Sequence, residues 1–308
     1  MRNVLALLTL CCSLSACVTA RGPEADLSRV LAPAATVELV REGFVFTEGP
    51  VGLPDGSLLF SDARASLIYR LDPNGAISLF RSNTNETNGL ALNRNGELLA
   101  AETAGRRISI SNLGGPQREL TRGDGTRPLA AINDLIVDAR GGVYFTDPHP
   151  RPIVPGRKVH VYYLAPLAKN ARIVDDSIVR PNGLTLTLDG RTLLVADTVG
   201  ADVLAFEVQR DGSLAKRRVF ARLRDIAQGE DSGGDGMAID RDGRVYVTSA
   251  RGVQVFDREG SYLGTIAVPR RPTNVAFAGP GKSVLYITAR EGLYRIRTLT
   301  RGPDRPGK

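Results

Sequence analysis

The chain has 308 residues, of which 42% are hydrophobic and 24% are charged. This composition is typical of a globular protein with a sizeable core, and it excludes disorder of the whole chain. The formal net charge is +7, but the arginines are scattered along the chain. That distribution excludes the clustered footprint of a nucleic-acid-binding protein, and it predicts a diffuse field from which an anionic ligand gains little.

The N-terminal residues have the pattern of an export signal. A basic start is followed by an apolar run over residues 4–14, which is too short to span a membrane. The motif LSAC at residues 14–17 resembles the bacterial lipobox, which implies cleavage after residue 16 and acylation of the Cys17 thiol. Ordinary cleavage after Ala20 is the alternative. We expect a signal peptide over 1–16 and a periplasmic protein held at the outer membrane through its lipid anchor only.

All three cysteines, Cys11, Cys12 and Cys17, lie in or beside this signal. The remainder of the chain therefore has no thiol for a disulfide, a redox couple or a zinc–thiolate site. Residues 17–34 are predicted to form a tether. A β-branched run over residues 36–40 predicts a short strand.

Six repeats follow, between residues 35 and 298. Each begins with a polar residue, continues with alternating apolar positions, and reaches a second apolar run after a turn. Successive repeats start about 40 to 53 residues apart, which is typical of one four-stranded blade per repeat. The sequence therefore predicts an all-β fold, a six-bladed β-propeller. The sixth repeat lacks an outer strand, so the strand at 36–40 is predicted to complete it, and 299–308 is predicted to be a flexible tail.

The first residue of every repeat is a carboxylate or an amide. Because the first strand of a blade is innermost in a propeller, these six side chains are predicted to converge on one mouth of the central channel. This ring consists of Glu48, Asn88, Asn133, Asn182, Asp235 and Asn274.

Glu48 and Asp235 are the two carboxylates of the ring. Two carboxylates that face each other across a channel are costly to bury unless a cation lies between them. Oxygen donors without imidazole or thiolate suit a hard cation, so the set predicts Ca2+, with Mg2+ or Zn2+ as alternatives. The competing interpretation is that asparagines at strand starts line a solvent-filled channel or serve turns.

Four motifs that contain ring residues resemble those of the senescence-marker-protein (regucalcin), gluconolactonase and luciferin-regenerating-enzyme family of six-bladed propellers. They are Thr47-Glu48-Gly49-Pro50, Ile132-Asn133-Asp134, Arg180-Pro181-Asn182-Gly183-Leu184 and Gly233-Gly234-Asp235-Gly236. The resemblance covers essentially the whole mature chain. It implies a divalent metal held by Glu48, Asn182 and Asp235, with Asn133 as a further ligand or a substrate contact. It also implies that Asp235 is the general base.

Further residues near the predicted mouth are candidates for substrate binding. We expect Asn88 in the ring, and His149 on the loop after the second strand of blade 3, to contact the substrate. His149 is also a candidate proton carrier, and a solvated loop histidine is the alternative. Asp147 either orients His149 or caps a turn. His160 lies in an alternating strand and is expected to be structural.

Position 131 departs from the family pattern. Members that hydrolyse sugar lactones often carry an arginine two residues before the blade 3 asparagine, whereas this chain has Ala131. This departure weakens the expectation of an aldonolactone as substrate. Arg127 and Arg180 are the residues that could reach the same space.

The implied activity is the hydrolysis of a lactone, in which an ion in the channel polarises the carbonyl group and water attacks it. The alternatives are a phosphotriesterase-like or other ester hydrolase at the same site, and a non-catalytic lipid-anchored binding propeller with a structural ion. The expected partner is a small-molecule lactone or ester. We expect no nucleic acid and a monomer.

Overall fold

The computed structural model describes residues 26–150, 152, 154 and 156–305. These residues form 24 β-strands in six four-stranded antiparallel sheets, arranged as a six-bladed β-propeller. The predicted fold is therefore confirmed. The helices within the described ranges are two 3-10 turns, Ala63–Ala65 and Pro280–Lys282. None of the helices in this part of the chain is long and apolar enough to cross a membrane.

The strands follow the chain blade by blade, after β1 (Glu38–Glu42). Blade 1 contains β2 (Thr47–Gly52), β3 (Leu58–Asp62), β4 (Leu67–Leu71) and β5 (Ile77–Ser82). Blade 2 contains β6 (Thr87–Leu92), β7 (Leu98–Glu102), β8 (Arg107–Ser111) and β9 (Arg118–Thr121). Blade 3 contains β10 (Leu135–Val137), β11 (Val143–Asp147), β12 (His160–Leu164) and β13 (Arg172–Asp175).

The second half of the propeller has the same order. Blade 4 contains β14 (Pro181–Leu186), β15 (Thr192–Asp197), β16 (Asp202–Val208) and β17 (Leu214–Arg222). Blade 5 contains β18 (Met237–Ile239), β19 (Val245–Ser249), β20 (Gly252–Phe256) and β21 (Tyr262–Ile266). Blade 6 contains β22 (Asn274–Ala278), β23 (Val284–Ala289) and β24 (Gly292–Arg297).

The first strand of the chain completes the last blade. β1 pairs antiparallel with β24, so that Glu38 lies opposite Arg295 and Glu42 lies opposite Gly292. The sheet order of blade 6 is β1-β24-β23-β22, as the sequence predicted. Pairing strands from the two ends of the chain covers the edge that β24 would otherwise expose.

The hydrophobic core is divided among the interfaces between neighbouring blades. Each of six apolar clusters joins residues of two adjacent blades. At one interface the ring of Tyr246 in blade 5 packs edge-to-face on Phe277 in blade 6, with centroids 5.2 Å apart. The inner strands are therefore covered on both faces, and β14 is buried at all six of its positions.

The N-terminal side of the propeller is more ordered than the predicted tether. Val30 is fully buried in the cluster between blades 5 and 6, and Leu27 packs against the same cluster. The N–H of Leu299 donates to the carbonyl of Val30 at 2.8 Å. The described part of the 17–34 segment, from residue 26 onward, thus packs on the propeller, because its apolar side chains cover an otherwise exposed part of the core.

The C-terminal segment differs from the predicted tail in the same way. Gly302 and Pro303 are buried, and the N–H of Gly302 donates to the carbonyl of Lys282 in blade 6 at 2.9 Å. The guanidinium of Arg305 donates to the carbonyls of Leu186 and Thr187 in blade 4. Residues 299–305 therefore cross the channel end that lies opposite the ring and contact blades 4 and 6.

Candidate functional site

The inner strands approach one another closely just after the ring residues. The next residue is glycine in four of the six blades, and a Cβ atom added to Gly49 would lie 2.0 Å from the carbonyl oxygen of Asn88. A Cβ atom added to Gly183 would lie 2.2 Å from the carbonyl oxygen of Asp235. Only glycine leaves room for these contacts. The sequence thus holds neighbouring ring residues at short range.

Other contacts complete the circle of ring residues. The N–H of Gly89 donates to the carbonyl of Asn133 at 2.8 Å. The hydroxyl of Thr146, in blade 3, donates to the carbonyl of Asn182 at 2.8 Å. Nδ2 of Asn274 donates to Oε2 of Glu48 at 3.3 Å, which joins blade 6 to blade 1. The structure therefore brings the six predicted residues together at one mouth of the channel.

Three amide oxygens of the ring are buried without a hydrogen-bond donor. Among the described residues, Oδ1 of Asn88, Oδ1 of Asn133 and Oδ1 of Asn182 have no partner. Leaving a buried acceptor unpaired costs about 1–3 kcal/mol, and such atoms are few in native proteins. Three of them around one mouth indicate that this part of the channel is built to bind a polar ligand.

Glu48 is held in a position that disfavours its charge. The side chain is 2% exposed, and Oε2 accepts hydrogen bonds from the N–H of Gly49 at 3.1 Å and from Asn274. Burial raises the pKa of Glu48 well above its usual value, and the negative charge of Asp235 raises that pKa further. An ionised Glu48 therefore requires a compensating positive charge.

Asn182 and the residue before Asp235 are joined by one hydroxyl. Nδ2 of Asn182 donates to Oγ1 of Thr198 at 2.9 Å, and this hydroxyl donates to the carbonyl of Gly234 at 2.9 Å. Thr198 is buried. Because Nδ2 is engaged in this way, Oδ1 of Asn182 is fixed as the atom that faces away from Thr198.

The donor set fits a hard cation. Glu48 and Asp235 supply carboxylates, and Asn88, Asn133 and Asn182 supply amide oxygens, which are the ligand types that calcium prefers. A cluster of three or more His, Cys, Asp or Glu side chains that could hold a metal is absent from the described residues, so amide oxygens would have to supply part of the ligand set of an ion at the ring. Asn274 differs from the other amides because its Oδ1 accepts from the N–H of Val275 at 2.9 Å.

A repeated aspartate that the sequence analysis did not use positions the ring. In three blades the second strand ends in a buried aspartate that accepts hydrogen bonds from the backbone just before the ring residue. These are Asp62 with the N–H groups of residues 45 and 46, Asp147 with those of residues 130 and 131, and Asp197 with that of residue 180. Their shared position at the end of the second apolar run was a readable signal. For Asp147, these bonds go to the backbone of residues 130 and 131, which do not form a turn.

His149 lies on the loop between β11 and β12, beside blade 4. Its carbonyl accepts a hydrogen bond from Nη1 of Arg180 at 2.9 Å, and its φ of 59° is strained for a non-glycine residue. Its Nδ1 is buried and has no partner among the described residues. Burial lowers the pKa of His149, and the nearby charge of Asp147 opposes this shift. Burial therefore favours the neutral form of this imidazole over the charged one.

Neither arginine named as a substitute for the residue at position 131 is free for that role. Arg127 forms an ion pair with Asp124 at 3.3 Å. Arg180 donates to the carbonyls of Pro148 and His149. His160 is buried in β12 opposite Asp147, which agrees with a structural role.

The fold and the site together define a six-bladed propeller with an oxygen-lined channel mouth. Residues 46–291 match the family model described as "SMP-30/Gluconolactonase/LRE-like region". The chain belongs to this family, and the resemblance inferred from the ring motifs is confirmed.

Individual relatives cover most of the chain. A gluconolactonase of Zymomonas mobilis is 26% identical over 304 residues, which is 90% of this chain and 85% of the relative. The pentonolactonase XacC of Haloferax volcanii is 29% identical over 252 residues, covering 80% and 81% of the two chains. The structure of a gluconolactonase from Xanthomonas campestris is similar with a TM-score of 0.78 and 28% identity, covering 88% of this chain and 92% of the other.

Proposed function

We propose that the protein is a metal-dependent lactonase whose reaction takes place at the ring mouth. One observation carries the proposal: three buried amide oxygens without a donor surround the same channel mouth as Glu48 and Asp235. The relatives named gluconolactonase and pentonolactonase support a lactone as the substrate. The lactone class is supported by several relatives, whereas the particular lactone is not specified by them.

Calcium is the ion that the donor set favours, held by Glu48, Asn182 and Asp235 with Asn133 as a further ligand. A bound divalent ion would polarise the carbonyl of the lactone and stabilise the negative charge that develops on its oxygen. Glu48 and Asp235 would both be ionised in that state, because the positive charge offsets their mutual repulsion. Mg2+ demands a smaller octahedron than a ring of this kind imposes, and Zn2+ usually takes nitrogen or sulfur ligands.

The remaining roles fall to side chains around the ion site. Asp235 accepts the proton of the attacking water as general base. Asn88 binds the substrate, and Asn133 contacts the substrate if it does not ligate the ion. His149, whose neutral form is favoured by burial, would hydrogen-bond to the substrate or carry a proton.

The test is a hydrolysis screen of lactones, carboxylic esters and phosphotriesters, with and without a chelator, using wild type and Asp235→Asn. We expect lactone turnover that chelation abolishes and that added calcium restores. Asp225→Asn is the matched control, because Asp225 has a φ of 60°, which asparagine adopts readily. Turnover of phosphotriesters without turnover of lactones would support a phosphotriesterase-like hydrolase. An ion that raises Tm without turnover of any substrate would support a binding propeller.

We also propose that the chain is exported and anchored by a lipid on Cys17, on the periplasmic side of the outer membrane. Residues 1–25, including Cys17, lie outside the described residues, so this proposal rests on the LSAC motif. Metabolic labelling with a radioactive fatty acid tests it. Labelling of wild type but not of Cys17→Ala is the expected result, and equal labelling of both would refute it.

A further inference from the structure

Two arginines contact a single phenylalanine at the channel mouth. Phe46 is half-buried and lies two residues before Glu48. The Cζ atom of Arg64 is 4.8 Å from the centre of its ring, and the Cζ atom of Arg290 is 5.4 Å from the same centre. Both distances are within the range of cation–π interactions. Two like charges are thus held around one aromatic side chain.

The backbone ties both arginines to the strand that carries Glu48. The carbonyl of Arg290 accepts hydrogen bonds from the N–H of Thr47 at 2.7 Å and from its hydroxyl at 2.9 Å. Arg64 lies in the 3-10 turn that begins after Asp62, and the carboxylate of Asp62 accepts from the N–H of Phe46 at 2.8 Å. The two guanidinium groups therefore flank the entry to the inner strand of blade 1.

Neither Arg64 nor Arg290 makes an ion pair with any residue that the structure describes. Two nearby acids, Glu42 at the end of β1 and Glu291 on the turn between β23 and β24, share the guanidinium of Arg270 at 3.2 Å and 3.0 Å. Arg64 and Arg290 therefore lie beside the mouth without an ion-pair partner in the described part of the chain.

Other charges line the same rim. The guanidinium of Arg271 packs on Gly233, with Nη2 2.1 Å from the position that a Cβ atom of this glycine would occupy. Arg271 likewise has no ion pair within the described ranges. Carboxylates at the same mouth oppose these positive charges: Glu48 and Asp235 in the ring, and Glu86 on the blade 2 rim. Glu86 is exposed, and its N–H donates to the hydroxyl of Ser66 at 3.0 Å. Within the described ranges, the rim beside blades 1 and 6 thus presents the guanidinium groups of Arg64 and Arg290 on Phe46 without an ion-pair partner.

We propose that Arg64 and Arg290 form an anion-binding subsite, and that the lactone substrate carries a carboxylate or phosphate group besides its reacting ring. This inference rests on the proposed lactonase function and names its substrate class. Guanidinium groups bind carboxylate and phosphate through paired, charge-assisted hydrogen bonds. A diffuse field of arginines was predicted from their scatter in the sequence, but the fold brings Arg64 and Arg290, far apart in the chain, to the same phenylalanine.

The test compares three lactones of the same ring: an uncharged aldonolactone, one with a terminal carboxylate and one with a terminal phosphate. We expect wild type to have a kcat/KM at least about tenfold higher for one of the two anionic substrates, since one such contact distinguishes ligands by this factor. Arg64→Gln/Arg290→Gln should remove that preference through KM and leave the uncharged lactone within about twofold. The double variant Arg64→Lys/Arg290→Lys should retain part of the preference for the anionic substrate. The preference should also fall as salt rises.

The control variant is Arg94→Gln, on the turn at the opposite end of the channel, which should behave as wild type. A wild-type preference for the uncharged lactone, or an equal loss on all three substrates in the double variant, would overturn the subsite. If no lactone is hydrolysed, the proposed function fails, and the subsite is then tested by binding of inorganic phosphate. Binding that weakens in the double variant supports the subsite, and phosphate binding that is absent or equal in both proteins refutes it.

Discussion

The two ends of the central channel are formed by opposite ends of the same inner strands, and they differ in chemistry. At the ring end the strands start with carboxylate and amide oxygens, three of which lack a donor among the described residues. At the other end they finish in apolar residues such as Leu92 and Leu186, beneath residues 299–305. A cavity of about 180 Å³ remains there, lined in part by Arg305.

The difference lies in where positive charge comes from. At the closed end the chain supplies its own cations, because Nζ of Lys282 donates to the carbonyl of Pro303 at 2.8 Å and Arg305 donates to blade 4 carbonyls. At the ring end the acceptor oxygens face one another, and Glu48 is buried beside the charge of Asp235. The ring end therefore leaves acceptor oxygens that a cationic ligand would pair, whereas the described closed end pairs its carbonyls with Lys282 and Arg305.

The largest effect that separates the two ends is expected from Asp235→Asn. Removing a general base lowers kcat about 10²- to 10⁴-fold, while the amide keeps the size of the side chain. Steady-state kinetics on a lactone with saturating calcium measures this loss. Arg305→Gln at the closed end is the comparison and should retain kcat within about twofold. Full activity of Asp235→Asn would remove Asp235 from the reaction.

A smaller loss is expected from Thr198→Val, which removes the hydroxyl between Asn182 and Gly234. Without it Nδ2 of Asn182 loses its acceptor and the amide is free to rotate. Removing such a supporting group typically costs about 10- to 100-fold in metal affinity or activity. Calcium titration followed by activity measures it. Thr198→Ser keeps the hydroxyl and should bind calcium as wild type does, so equal weakening of both variants would contradict this role.

The ring end was the more predictable of the two from the sequence. The repeats show which residue begins each inner strand. Glu48 and Asn182 could therefore be assigned to the same mouth from their equivalent positions in the repeats. The role of Thr198 could not be predicted from the sequence, because it depends on a contact between two loops from different blades. The arginines at 64 and 290 are far apart in the chain, and their shared contact with Phe46 exists only after the first and last blades meet.

The closed end was predicted less well, since the tail contains few apolar residues and reads as solvent-exposed. Its order comes from long-range contacts: Gly302 lies against Phe277, where a Cβ atom would meet the phenylalanine Cβ at 2.6 Å. No local pattern encodes such a contact. The described start of the chain was misjudged for a related reason, because Val30 is a single apolar residue whose burial site is formed by blades 5 and 6.

Removal of the ion should lower thermal stability in a pH-dependent way. An ion at a hundred times its Kd stabilises the folded state by about 2.7 kcal/mol, or roughly 5–10 °C in Tm for a domain of this size. The pKa of Glu48 is raised in the folded protein, so the ion-free protein loses stability as pH rises from the ordinary carboxyl pKa through this raised value. The gain in Tm from calcium should therefore grow with pH over that range.

The Glu48→Gln variant distinguishes the pH dependence caused by Glu48 from that caused by other titratable groups, because it removes the buried carboxylate. The ion-free variant should have a flatter Tm profile against pH than ion-free wild type, and calcium should stabilise it less. Scanning calorimetry at several pH values measures both. Glu259→Gln, on an exposed turn, should follow wild type. If Glu48→Gln and wild type have the same calcium-dependent Tm at every pH, Glu48 is not part of the ion site.

The smallest effect is expected at the closed end, where Arg305→Gln removes the hydrogen bonds to the carbonyls of Leu186 and Thr187. Since Arg305 is half-buried, the loss is about 1–2 kcal/mol, or roughly 2–8 °C in Tm. The shift should be the same with and without calcium, because the closed end does not depend on the ion. Arg301→Gln, which breaks a pair with Asp304, should change Tm less. If Arg305→Gln alters calcium affinity as strongly as Thr198→Val does, the two ends of the channel are coupled. The proposal that the closed end is independent of the ion would then be wrong.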